Sequence, residues 1–93
     1  MPNKLSDSEV SSALANLSGW SRQGDAIERT FTFQKFADGI AFVDRIAALA
    51  DAANHHPDID IRYTKIKVSL STHDAGGITR ADTDLAAQIT SAA

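Results

Sequence analysis

Two neighbouring runs of alternating apolar and polar residues, 59–63 and 66–70, constrain the fold of this chain more than any other feature. Alternation with a period of two is typical of a strand that buries one face. The phase of the alternation changes across residues 64–65, and a tight turn between two antiparallel strands produces such a change. The sequence therefore predicts a hairpin in which Tyr63 faces Ile66.

Three other segments have the features of helices. Residues 6–9 have the sequence Ser-Asp-Ser-Glu and fit a capping box, which predicts a helix that begins there and ends at Gly19. Residues 36–53 carry two adjacent apolar rows, the wide stripe of a helix that lies across a sheet, and Pro57 is expected to end this helix. A second capping box at 79–82 is expected to open the last helix.

A second hairpin is expected earlier in the chain. Gly24 and Asp25 form a turn signal, and residues 27–33 after it alternate with a period of two. The predicted order of elements is α-β-β-α-β-β-α, in an α+β fold with an antiparallel sheet covered on one face by helices. The 93 residues are enough for one compact domain and too few for two, so residues 1–93 are assigned to a single domain.

Charge and composition exclude several classes of protein. Nine Lys and Arg against twelve Asp and Glu give a net charge of −3, which argues against binding to nucleic acid, because phosphate contacts rely on clustered basic residues. The absence of Cys excludes disulfides, thiolate catalysis and Cys-ligated zinc. No apolar run is long enough to direct export or to span a membrane, so we expect a cytoplasmic protein without a membrane partner.

The three histidines of the chain, His55, His56 and His73, lie on the two sides of the second predicted hairpin. If its strands continue in the predicted register, His73 lies opposite His56 and Asp74 lies opposite His55. Facing residues in an antiparallel pair have Cβ atoms about 4.5–5.5 Å apart, so the three imidazoles are expected at one place. The polar residues expected around that place are Asn54, Ser71, Thr72 and Asp74.

This cluster has three interpretations. Imidazole exchanges protons near neutral pH, so converging histidines favour a reaction that removes one proton and adds another, with Asp51 and Asp74 orienting a ring. His55 and His56 could instead stabilise the C-terminus of the preceding helix, where partial negative charge favours cations. A metal site is disfavoured because adjacent histidines point in different directions. Asp82 could cap the last helix or point at the histidines, and capping is the simpler role.

These residues resemble the motif of the pterin-4a-carbinolamine dehydratases. The family pattern is an acidic residue, three further positions, His-His-Pro, an aromatic residue, a third His and then an Asp. The matching residues here are Asp51, His55, His56, Pro57, Tyr63, His73 and Asp82. The similarity spans nearly the whole chain, with two departures: Asp51 stands where Glu is common, and Asn54 where Asp is common. The shorter side chain of Asp51 is expected to change the rate of the reaction more than whether the reaction occurs.

The resemblance implies a sheet of four antiparallel strands with three helices on one side, and a dehydratase that needs no metal and no cofactor. The substrate would be a 4a-hydroxytetrahydropterin, which aromatic amino acid hydroxylases release, and the products would be quinonoid dihydropterin and water. His55, His56 and His73 would move the protons, with His56 and His73 on opposite sides of the 4a carbon. Asp82 would orient a histidine, and Asp51 would support the site. The residues that would hold the pterin are Asn54, Ser71, Thr72 and Asp74.

The resemblance also implies protein partners. Members of the family form dimers and tetramers, so a homodimer or homotetramer is expected. Animal members act as dimerisation cofactors for a homeodomain transcription factor, and a related scaffold is used in carboxylase assembly. A non-catalytic interaction module is therefore the alternative to an enzyme, and the intact set of His55, His56 and His73 favours the enzyme.

Overall fold

The computed structural model describes residues 3–93. This part of the chain contains three α-helices, four β-strands and a short 3₁₀ turn, in the order α-β-β-α-β-β-α that the sequence predicts. The helices are α1 (Asp7–Leu14), α2 (Phe36–Ala53) and α3 (Arg80–Ala92); the strands are β1 (Ser21–Gln23), β2 (Ala26–Thr32), β3 (Asp58–Arg62) and β4 (Lys65–Leu70); the 3₁₀ turn is His73–Ala75.

The four strands form one antiparallel sheet in the order β1-β2-β4-β3, so the last strand of the sequence lies in the interior of the sheet. Strand β4 pairs with β2, where Ile27 faces Leu70, and with β3, where Ile59 faces Val68. Because facing residues point to the same side, the apolar residues of the three strands share one face. The opposite face is polar and carries Glu28, Thr30, Asp58, Asp60, Lys67 and Ser69.

The helices cover the apolar face and close the core. The ring of Phe42 in α2 packs on Phe31 and Phe33 of the sheet side, with centroid separations of 4.7 and 5.2 Å. Trp20 is buried, and its indole N–H donates to the Thr90 hydroxyl at 2.8 Å. The buried residues form one cluster, which confirms the prediction of helices on one face of the sheet. No helix within residues 3–93 is both long enough and apolar enough to cross a membrane.

Helix α1 begins at the predicted capping box but ends earlier than predicted. The Ser6 hydroxyl accepts the Glu9 N–H at 3.2 Å, and the Glu9 carboxylate accepts the Ser6 N–H at 2.9 Å. The helix ends at Leu14 and not near Gly19, because tight turns after Leu14 bring the side chain of Leu17 into the core. Gly19 lies in the loop to β1 with φ of 86°.

Helix α2 spans the predicted residues, but Pro57 does not end it. Asn54 takes the left-handed conformation, with φ of 50°. The N–H groups of Asn54 and His55 bond back to the carbonyls of Asp51 and Ala50, at 3.2 and 3.1 Å. Backbone groups that would otherwise be unpaired at the helix end are satisfied in this way. Pro57 lies in the link to β3.

The β3–β4 hairpin turns at Tyr63 and Thr64, one residue earlier than predicted. Arg62 faces Lys65, so the predicted register is wrong by two residues. The reason lies on the other side of β4, where Lys65 also faces Thr32 of β2. The backbone of Lys65 is therefore held in the sheet and cannot enter the turn. Tyr63 adopts the left-handed conformation instead, with φ of 54°, and its side chain is exposed.

Candidate active site

The three histidines lie around one cleft formed by two segments of the chain. The link between α2 and β3 carries His55 and His56, and the 3₁₀ turn after β4 begins with His73. The cleft has a volume of about 220 Å³. Its lining consists of Asn54, His55, His56, Ser71, Thr72, His73 and Asp74. The structure therefore brings together all residues that were predicted to surround the imidazoles.

Strand pairing does not produce this arrangement. The sequence predicted that His73 faces His56 across the hairpin, and this prediction is wrong because the paired parts of β3 and β4 stop before the histidines. Beyond β4 the chain folds on itself, and Thr72 and Gly77 exchange backbone hydrogen bonds of 2.9 and 3.3 Å. Gly76, with φ of 72°, closes this loop. His73 is thus placed by a tight local turn and not by the sheet.

A buried carboxylate of α3 holds His55. The Nε2 atom of His55 lies 2.5 Å from Oδ1 of Asp82, and the Asp82 side chain is fully buried. The other carboxylate oxygen, Oδ2, accepts the backbone N–H of Thr79 at 2.9 Å and the hydroxyl of Thr72 at 2.8 Å. Asp82 therefore caps α3 and also contacts the histidine cluster. The two roles that the sequence left open for this residue are both filled.

A second carboxylate, at the end of α2, holds His56. The Nε2 atom of His56 lies 2.8 Å from Oδ1 of Asp51, and both side chains are more than half exposed. Exposed ion pairs contribute little to stability, since water and salt screen them. Within residues 3–93 neither imidazole donates to a carbonyl at the end of α2. The contact that His55 makes with the helix end is that of its backbone N–H, which donates to the carbonyl of Ala50.

The predicted pterin-binding residues fall into two groups. The Ser71 hydroxyl donates to the carbonyl of Asp25 at 2.6 Å, and the Thr72 hydroxyl donates to Asp82, so their hydrogens are used inside the protein. A hydroxyl oxygen that donates its hydrogen can still accept. The cleft residues whose side chains make no hydrogen bond within residues 3–93 are Asn54, His73 and Asp74.

The placement of the imidazoles bears on the metal interpretation. Within residues 3–93, no group of three or more His, Cys, Asp or Glu side chains is arranged to hold a metal ion. His55 and His56 point to different carboxylates, one on α3 and one on α2. Their Nε2 atoms are therefore turned toward the protein and not toward a common centre.

Sequence analysis missed some of the residues around the cluster. A second cleft of about 260 Å³ adjoins the first and shares Asn54, His55, Thr72 and Asp74 with it. Its other walls are Ala53, Ala75 and Ala81, whose methyl groups give no chemical signal in a sequence. Thr79, fully buried behind the cluster, was recognised only as part of a capping box.

A larger cleft, of about 310 Å³, lies between α1 and the start of α3 and is not a candidate for proton-transfer chemistry. Its Glu9 carboxylate is already used in the capping box of α1. The lining consists of Leu5, Ser8, Glu9, Ser12, Ala13, Arg80, Thr83 and Asp84, and it contains no imidazole.

Comparisons with known proteins show which family the chain resembles. The sequence profile of the family described as pterin 4 alpha carbinolamine dehydratase matches residues 3–92. A protein of Roseiflexus sp. (strain RS-1) is 55% identical over 89 residues, which are 96% of each chain. A protein of Thermosynechococcus vestitus is 47% identical over 93 residues, covering 100% of this chain and 98% of the relative. The names of both relatives assign them provisionally to the pterin-4-alpha-carbinolamine dehydratases.

Two solved structures have the same fold. A protein of Brucella melitensis described as a transcriptional coactivator/pterin dehydratase superposes with a TM-score of 0.94 at 33% identity, over 98% of this chain and 99% of that one. A pterin dehydratase-like protein, described as a RuBisCO assembly factor in the alpha-carboxysome, superposes with a TM-score of 0.68 at 27% identity, over 80% and 88%. From the profile match and the full-length relatives, the chain belongs to the pterin 4 alpha carbinolamine dehydratase family.

Proposed function

We propose that this protein is a dehydratase that converts a 4a-hydroxytetrahydropterin to quinonoid dihydropterin and water by general acid–base catalysis. The observation that carries the proposal is the shared cleft of His55, His56 and His73, in which carboxylates hold two of the three rings. Imidazole is the side chain that gives up and takes up protons most readily near neutral pH. Membership of the dehydratase family supports the same reaction class.

The reaction requires two proton transfers. The C4a–O bond breaks as an acid protonates the leaving hydroxyl, which departs as water. A base removes the proton of N5, and the N5 electron pair forms the C4a=N5 double bond of the product. We assign the acid and the base to the histidines, with His56 and His73 on opposite sides of C4a. Exchange of protons with water then restores both rings.

The remaining residues have supporting roles in this proposal. Asp82 positions His55 from the buried side, and Asp51 positions His56 from the exposed side. The pterin is held by Asn54, Ser71, Thr72 and Asp74, partly through backbone groups. In this proposal the protein needs no cofactor for the chemistry. It acts in tetrahydrobiopterin recycling beside an aromatic amino acid hydroxylase. It works as a homodimer or homotetramer.

A second candidate function is assembly of a protein partner on the same scaffold. The observation that favours it is the likeness to the solved structure described as a RuBisCO assembly factor. Three large apolar side chains are also exposed within residues 3–93, those of Phe36, Ile61 and Tyr63. Substitution of a cleft histidine would abolish dehydration and leave partner binding intact.

Stopped-flow kinetics of the dehydration test the proposal. The wild type, His73→Ala and the exposed-loop control Gln34→Ala are compared with buffer alone, each with and without a chelator. Removal of a general acid or base typically costs about 10²–10⁴-fold. We expect a fast wild type and control, a folded but slow His73→Ala, and no effect of the chelator. A wild type no faster than buffer would contradict the dehydratase proposal, and a chelator-sensitive rate would point to a metal site.

A further inference from the structure

Thr79 makes more hydrogen bonds than a helix cap requires. Its side chain is fully buried, and its Oγ1 accepts the N–H of Ala81 at 3.2 Å, while its backbone N–H donates to Asp82. These contacts complete the capping box of α3. In addition, its Oγ1 lies 2.9 Å from Oγ1 of Thr72, on the loop that carries His73. The capping box of α1 is exposed and provides an internal comparison without such a contact to the cleft.

The direction of the hydrogen bonds between these groups can be assigned. Thr72 donates its hydroxyl hydrogen to Oδ2 of Asp82 at 2.8 Å. A hydroxyl has only one hydrogen, so Thr72 must be the acceptor in its contact with Thr79. The hydroxyl of Thr79 therefore donates to Thr72, and Thr79 accepts from Ala81. The hydroxyl of Thr79 thus donates to Thr72, and the hydroxyl of Thr72 donates to the carboxylate of Asp82.

The orientation of the Asp82 carboxylate determines which of its oxygens contacts the imidazole of His55. Oδ2 of Asp82 is fixed by two donors, the Thr79 N–H and the Thr72 hydroxyl, which leaves Oδ1 facing His55. A carboxylate only accepts hydrogen bonds, so Nε2 of His55 carries the hydrogen in this contact. In the neutral ring, Nδ1 is then the nitrogen without a hydrogen. The orientation and tautomer of His55 thus depend in part on Thr79 and Asp82, which do not line the cleft.

We propose that Thr79 is a positioning residue of the site, whose hydroxyl orders Thr72 and Asp82 and thereby fixes the orientation and tautomer of His55. The kinetic part of this inference rests on the proposed dehydratase function. The structural part, the state of the His55 ring, does not. The two can therefore fail separately in one set of measurements.

The test compares Thr79→Val, which removes the hydroxyl at nearly constant volume, with Thr79→Ser, which keeps it. Ser6→Ala is the matched control, because it removes a cap of the same kind from α1, away from the cleft. Thr72→Val is the second variant, because it interrupts the same donor chain and leaves the cap of α3 in place. Each substrate-free protein is examined by ¹⁵N and ¹H NMR of the imidazoles, and each is then assayed for dehydration.

We expect the Nε2–H proton of His55 to exchange with solvent at least about tenfold faster in Thr79→Val and Thr72→Val than in the wild type, because local order protects such protons. For Thr79→Val, which lies outside the cleft lining, loss of one hydrogen bond of ordinary strength predicts a fall in kcat of about fivefold with little change in KM. Thr79→Ser and Ser6→Ala should keep the wild-type exchange rate of this proton and the wild-type kcat. The double variant Thr72→Val/Thr79→Val should be no slower than Thr72→Val alone, since both residues act in series.

The outcomes separate the two proposals. If Thr79→Val and Thr72→Val leave the His55 resonance and kcat unchanged, the positioning role is wrong. If Ser6→Ala lowers kcat as much as Thr79→Val does, the effect is general destabilisation and the positioning role is again wrong. If the resonance changes as expected while the wild type shows no dehydration, Thr79 positions His55 and the dehydratase proposal fails. If Thr79→Val does not fold, the imidazole NMR of substrate-free Thr72→Val decides: an unchanged His55 resonance would contradict the positioning role.

Discussion

The Nε2 atom of His55 and the Oδ1 atom of Asp82 lie 2.5 Å apart, although 27 positions separate the two residues in the sequence. The other oxygen of the same carboxylate caps the first turn of α3 through the N–H of Thr79. The start of a helix and the placement of a cleft imidazole therefore depend on one buried side chain. Stability and activity are expected to change together at this position.

Asp82→Asn should impair both properties. The amide cannot accept from all three donors that surround the carboxylate, and a buried group without its partner costs about 1–3 kcal/mol. Together with the weakened cap, we expect the free energy of unfolding to fall by about 2–4 kcal/mol and dehydration to slow by at least about tenfold. Urea denaturation and stopped-flow kinetics measure the two effects. Ser6→Ala, the cap control, should lose about 1 kcal/mol and keep its activity. Unchanged stability in Asp82→Asn would contradict the structural role.

Asp51→Asn should have a much smaller effect than Asp82→Asn. The Asp51–His56 pair is exposed, and such pairs contribute about 0–1 kcal/mol. We expect kcat to fall by no more than about fivefold and the unfolding curve to move little. Stopped-flow kinetics of the two variants, measured in parallel, check that Asp51→Asn loses less activity than Asp82→Asn. A loss in Asp51→Asn as large as that in Asp82→Asn would show that the exposed carboxylate does more than orient a ring.

Acid should weaken the attachment of α1. The pKa of Asp7 lies below its ordinary value of 3.8, mainly because Arg22 donates a hydrogen bond to the carboxylate, with a coulombic contribution from the same residue. The pKa of Glu9 lies below 4.5, mainly because the Ser6 backbone N–H donates to it. A carboxylate whose pKa is lower in the folded state than in the unfolded state stabilises the folded state at pH values above its unfolded-state pKa. This stabilisation is lost as the pH falls through the folded-state pKa.

Two substitutions measure this dependence. Asp7→Asn should have a lower urea midpoint than the wild type at about pH 6, and the difference should vanish at about pH 2, where the carboxylate is protonated. Salt of about 1 M should also reduce it, since the Asp7 side chain is exposed. Asp44→Asn, in α2 and without an ion pair within residues 3–93, is the control. A difference that persists at the acid end would rule out the charge of Asp7 as its cause.

Phe42→Ala should destabilise the protein far more than Phe36→Ala. Phe42 is fully buried and packs on two other rings, and Phe→Ala in a core costs about 3–5 kcal/mol. Phe36, at the start of the same helix, is 49% exposed, and we expect its loss to cost less than about 1 kcal/mol in the isolated chain. Thermal unfolding checks both values. A large loss in Phe36→Ala that depends on protein concentration would indicate that this side chain is covered in an oligomer.

Much of the fold follows from short-range patterns in the sequence. The capping boxes at Ser6 and Thr79, the bounds of α2 and the order of elements all depend on residues a few positions apart. Helix periodicity and strand alternation act over the same short range, so a single sequence carries them in full. The spacing of the His-His-Pro motif and His73 likewise indicates the family from the residue order alone.

Tertiary structure alone decided the details that matter for the site. The turn at Tyr63 lies one residue early because β2 holds Lys65 in the sheet, and β2 enters the sequence more than thirty positions before that residue. The histidines converge through the loop at Gly76 and not through strand pairing. Asp82 meets His55 because α2 and α3 pack against each other. Such contacts depend on how whole elements pack, and the local spacing of residues in the sequence does not specify them.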